Sequence, residues 1–116
     1  MKPFKIDPLE LQHMPDATAI LIGYIRERFR IVYTGLAEGD IPDNETIEEA
    51  QQGWVCITGK QLERDINMFA WKYTKHLKML VMAEYIKIKR KGLPAKRWIY
   101  LINSPYNVYN GNGEKK

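Results

Sequence analysis

Cysteine is nearly missing from this chain: Cys56 is the only one among 116 residues. That excludes an internal disulfide framework and a multi-cysteine zinc site. A lone thiol inside the apolar stretch Trp54-Val-Cys-Ile57 reads as a small buried hydrophobe. Long apolar runs are missing too. No window approaches a membrane span, and the opening Met-Lys-Pro-Phe-Lys lacks an apolar core of signal-peptide length. The expectation is a protein with no membrane partner, in a reducing cytoplasm, bacterial or host. There is no phosphate-cradling glycine loop, no His/Cys/acid cluster at ligand spacing and no recognisable nucleophile–base pair. His13 stands without a partner at ligand spacing. Nothing therefore points to an enzyme, a metal or a cofactor.

What is present is the make-up of one globular domain, with 45% apolar and 11% aromatic residues. Charge is unevenly spread. Residues 1–50 hold five basic and ten acidic residues, net −5, whereas residues 51–116 hold thirteen basic and four acidic, net +9. Such asymmetry gives a directional field and a half of the chain suited to a polyanion.

Residues 1–15, with three prolines and no clean period, are expected to form an N-terminal arm that packs against the domain or stays loose. The domain proper is expected over 16–104. Its first helix, 16–33, starts after Pro15 with Asp16 as cap or first-turn acid. Ala17, Ile20, Leu21, Tyr24, Arg28 and Ile31 follow helical spacing, and Ile25, Phe29 and Val32 widen the apolar face. A face that wide suits both a core and a second subunit, so a homodimer through helix 16–33 is one expectation. Thr34-Gly-Leu-Ala-Glu-Gly39 reads as a break. Asp40 to Glu49 carries five acids without the alternating ligands and glycine of a calcium loop. Ile41, Ile47 and Ala50 fit one short amphipathic helix there, its dipole favouring acids in the first turn. Residues 105–116, poor in apolar content, are expected to be a flexible tail.

Residues 54–57 have strand composition, and Thr58 with Gln61 matches a capping box opening a helix to about Ile66. Asn67 suits the left-handed backbone of a tight turn. A second helix is expected from Ala70 to about Glu84, with Tyr73, Leu77, Leu80 and Val81 inward and Trp71, Lys72, Thr74, Lys75 and Lys78 outward. Lysines neutralise phosphates, a threonine can bond a base edge, and a tryptophan can pack on a sugar or a thymine methyl. Tyr85 to Ile102 reads as a hairpin whose tip gathers Lys89, Arg90, Lys91, Lys96 and Arg97. The fold class expected is α+β, mainly helical: a winged helix-turn-helix with a three-helix core and a small antiparallel sheet.

The string Glu84-Tyr-Ile-Lys-Ile-Lys-Arg-Lys-Gly-Leu-Pro-Ala-Lys-Arg-Trp-Ile-Tyr-Leu101 resembles the wing of winged-helix domains in phage and prophage replication initiators, the replisome organisers. The Thr-x-x-Gln entry after Trp54 is similar as well, so the resemblance spans about residues 54–102. Phe69 stands where that family has a Ser-like cap, and Asn67 where glycine is common. The resemblance implies binding to double-stranded DNA in phage replication or transcriptional control, with replication proteins as further partners. It implies that Trp71, Lys72, Thr74, Lys75 and Lys78 lie in the major groove and Lys89, Arg90, Lys91, Lys96 and Arg97 on the backbone. Two other readings fit the same residues: a protein–protein interaction module, and a single-strand binder stacking bases on Trp71, Trp98 and Tyr100.

Overall fold

The computed structural model describes residues 4–104. They form α1 (Pro8–His13), α2 (Asp16–Glu38), α3 (Ile47–Gln51), β1 (Trp54–Cys56), α4 (Gly59–Ile66), α5 (Ala70–Met82), β2 (Ile86–Lys91) and β3 (Lys96–Leu101). The strands make one antiparallel sheet in the order β1-β3-β2, so the chain is α+β with five helices among the described residues. The tail expected at 105–116 lies outside them.

Helix α2 is the central post. Leu21, Ile22, Tyr24, Ile25, Phe29 and Val32 are fully buried on it, each such apolar side chain stabilising the fold by roughly 1.5–3 kcal/mol. Its neighbours are α1, α3, β1 and α5 of the same chain. The wide apolar face that suggested a second subunit is thus covered from within. The helix also runs five residues past the expected end at 33, through Gly35 to Glu38. Gly35 is not a breaker: a Cβ there would lie 2.4 Å from the Asp40 carbonyl oxygen, so glycine lets the returning chain pack against the helix. The stop is Gly39, which takes the left-handed backbone (φ 76°) of a C-cap.

The N-terminal arm packs against the domain, while the expectation for the acidic stretch is corrected. Within the N-terminal arm, residues 8–13 are helical; Asp7 caps them and Arg26 of α2 clamps Glu10 through two 2.7 Å hydrogen bonds. The acidic stretch 40–49 is helical only from Ile47, and Ile47 is 54% exposed instead of inward. Its fold is set by ion pairs. Glu45 takes Arg28, and Glu49 takes two hairpin lysines, Lys89 and Lys91.

The segment from β1 to α5 follows local signals closely. Thr58 accepts from the Gln61 amide at 3.1 Å while the Gln61 side chain accepts from the Thr58 amide at 2.7 Å. Asn67 closes α4 at φ 52°, and Leu62 is fully buried. Thr58→Ala removes one half of that reciprocal cap. We expect it to lower stability by about 1 kcal/mol in urea unfolding.

Candidate nucleic-acid interface

Helix α5 carries three lysines, Lys72, Lys75 and Lys78. Tyr73, Leu77 and Leu80 anchor its inner stripe, spaced at four and three residues, as a 3.6-residue period requires. Val81, also expected inward, is 39% exposed, and the helix ends at Met82. On the outer face Trp71 is 78% exposed, Thr74, Lys75 and Lys78 are exposed, and Lys72 is half-buried. The helix contains no acidic residue. Lys72, Lys75 and Lys78 take no part in the ion pairs formed among the described residues. All five helix residues singled out from the sequence thus share the solvent side of one element.

His76, on the same helix, turns inward. It is buried, and its Nδ1 lies 2.7 Å from Thr18 Oγ1 of α2. Burial, and then the positive charges of Lys75 and Lys72, push its pKa below the ordinary histidine value, so at neutral pH it joins α5 to α2 as a neutral ring. It is an edge-of-core residue.

The hairpin divides its five cations between two faces. Residues β2 and β3 pair Ile88 with Ile99, Lys89 with Trp98, Arg90 with Arg97 and Lys91 with Lys96. Successive side chains alternate in direction. Arg90 and Arg97 therefore share the face of the buried Ile99, and Arg97 is packed 5.0 Å above the Tyr73 ring of α5 while donating to the Ile57 carbonyl at 3.2 Å. Lys89, Lys91 and Lys96 fall on the opposite face. There Lys89 donates to Glu49 at 2.7 Å and sits 4.4 Å above Trp54, Lys91 donates to the other Glu49 oxygen, and Lys96 donates to Asn44 at 3.2 Å. Buried Glu49 would be raised in pKa by its burial, but the hydrogen bonds from Lys89 and Lys91 outweigh that and hold it below the usual value.

The structure thus brings Arg90 and Arg97 to the α5 side and ties Lys89 and Lys91 to α3. Strand alternation alone separates Arg90 from Lys89 and Lys91, so that part was readable from spacing. Glu49 as their partner was not, because nothing local links residues forty apart. Among the three stacking candidates, Trp71 is open, Tyr100 is half-buried against Trp54 at 5.5 Å between ring centres, and Trp98 is buried. Trp98 is thereby removed as a stacking surface.

Elsewhere, the Tyr24 hydroxyl donates to Asp65 at 2.6 Å and Arg64 holds the same carboxylate. The Arg64 hydrogen bond is the main reason the Asp65 pKa falls to about 2. Burial raises the Cys56 thiol. Among the described residues no group of three His, Cys, Asp or Glu side chains is placed to hold a metal ion, and no helix is long and apolar enough to cross a membrane. Compared with known proteins, the chain matches no family model, no curated protein and no solved structure.

Proposed function

We propose that the chain is a winged helix-turn-helix protein that binds double-stranded DNA, laying α5 in the major groove. The observation that carries this reading is the outer face of α5. Three lysines without a carboxylate partner, a threonine and a 78% exposed tryptophan stand on one acid-free helix. A helix of this diameter fits the major groove, where Lys72, Lys75 and Lys78 meet phosphates and Thr74 meets a base edge or phosphate. Arg97, fixed over Tyr73, and its partner Arg90 extend the positive surface from the helix to the hairpin. The order α2, β1, α4, α5, β2, β3 supports the winged-helix assignment, with α4 and α5 as the helix-turn-helix and β2–β3 as the wing. The resemblance of the hairpin to phage replication initiators makes origin or operator binding, in replication or transcriptional control, the setting proposed.

The test is fluorescence-polarisation binding to a random duplex and to a matching single strand over about 50 to 200 mM salt. Micromolar duplex binding that falls steeply across that range is expected, with weaker binding to the single strand. A preference for the single strand would favour stacking on Trp71. Binding insensitive to salt, or no binding, would overturn the DNA reading in favour of a protein partner.

A further inference from the structure

The wing lysines pose a problem for any polyanion that approaches them. Glu49 is 4% exposed, yet its two carboxylate oxygens accept from two different ammonium groups, Lys89 and Lys91. The lysine side chains stay reachable, 31% and 56% exposed, while the carboxylate does not. Lys89 is further fixed over the Trp54 ring. Thr46 caps α3 and so fixes the helix that carries Glu49. The carboxylate is therefore an immobile anion, standing where the oxygens of a phosphate would have to stand to neutralise the same two lysines.

We infer that Glu49 competes with DNA phosphates for Lys89 and Lys91, and so holds down sequence-independent binding by the wing. The inference rests on the duplex-DNA reading and concerns its specificity. Non-specific affinity is set by the number of phosphates neutralised, whereas base contacts set the preference for one sequence. A carboxylate that occupies two lysines subtracts from the first quantity and leaves α5, which carries the base-facing residues, untouched. Access is not the limit. A cleft of about 290 Å³ lies between α3 and the hairpin tip, lined by Glu49, Lys91, Lys96 and Trp98. The indole N–H of Trp98 is buried there without a partner. A phosphate entering the cleft meets Lys91 and Lys96, and is opposed by the charges of Glu49 and Glu48.

The experiment compares wild type, Glu49→Gln and the triple variant Glu49→Gln, Lys89→Ala, Lys91→Ala on a random duplex from about 50 to 200 mM salt. Glutamine keeps the size of the side chain and removes its charge. We expect Glu49→Gln to bind roughly eight- to sixty-fold tighter near 0.1 M salt and to steepen the log–log salt slope by about one to two units, since each freed lysine adds about 0.9. The triple variant should lose that gain. Glu49→Asp, which keeps the charge and withdraws it by one methylene, should show a smaller gain, and it gives a second reading should glutamine disturb the wing. If both Glu49 variants bind as wild type does, or more weakly, while wild type binds duplex, the inference is overturned and the DNA reading stands. A gain that persists in the triple variant also overturns it. Failure of wild type and variants alike to bind duplex would overturn the DNA reading itself.

Discussion

Replacing Lys75 and Lys78 together by alanine is expected to weaken duplex binding about sixty-fold at 0.1 M salt. The magnitude follows from counterion release. Each neutralised phosphate steepens the dependence of log K on log salt by about 0.9, so each contact accounts for roughly eight-fold over the decade below 1 M. Two contacts multiply to about sixty-fold, and the slope should flatten by about 1.8 units. Folding is not the confounding factor. Both side chains are exposed on a helix anchored by Tyr73, Leu77 and Leu80, and alanine is the best helix former. Lys87→Ala is the matching control: it lies on the outer sheet face, over Tyr100 at 5.4 Å, and should change affinity little. An unchanged salt slope in the double variant would remove α5 from the interface and with it the proposed mode of binding.

The same helix shows which parts of this protein its sequence discloses. From Thr58 to Met82 the determinants are local: a capping pair three residues apart, an asparagine able to take φ 52° and an apolar stripe of helical period. Each acts within a turn or two, so the expected bounds of α4 coincide with those observed, and α5 is too long by only two residues. The errors arise where local and distant causes look alike. Gly35 and Gly39 are both glycines near the end of α2. One permits the Asp40 backbone to approach, which only the folded chain shows, and the other ends the helix. The basic cluster at the hairpin tip is similar. Composition counts five cations, alternation sorts them onto two faces, and only the packing of α3 reveals that Lys89 and Lys91 share one buried acid. The acids of 40–49 could not be read as partners for Arg28 and the hairpin because pairing across 17 and 40 residues leaves no spacing signature.

Glu45→Ala is expected to cause the largest loss of stability, about 3–5 kcal/mol, as when one partner of a buried ion pair is removed. In an unfolding scan of a domain this size that corresponds to a fall in Tm of more than about 12 °C. The Glu45 side chain is fully buried and joins three parts of the chain. One oxygen accepts from the Arg28 guanidinium of α2 at 3.0 Å, and the other accepts from the Cys56 amide of β1 at 3.0 Å. Alanine would leave a guanidinium whose side chain is only 12% exposed, with its Nε already lacking an acceptor, and an unpaired amide beside it. Burial raises the Glu45 carboxyl against the opposing pull of the Cys56 amide and Arg28, so the site tolerates a neutral acceptor better than an empty space. Glu45→Gln should accordingly cost clearly less than Glu45→Ala. Equal losses would mean that the charge, and not the filled hydrogen bonds, fixes this junction. A loss under about 1 kcal/mol for alanine would show that Arg28 finds water or another acceptor. The junction also bears on binding, because the loop that carries Glu45 leads directly into α3. Loosening it should free Glu49 from the wing, so the folded fraction of Glu45→Ala should move toward the tighter, more salt-sensitive duplex binding expected of Glu49→Gln.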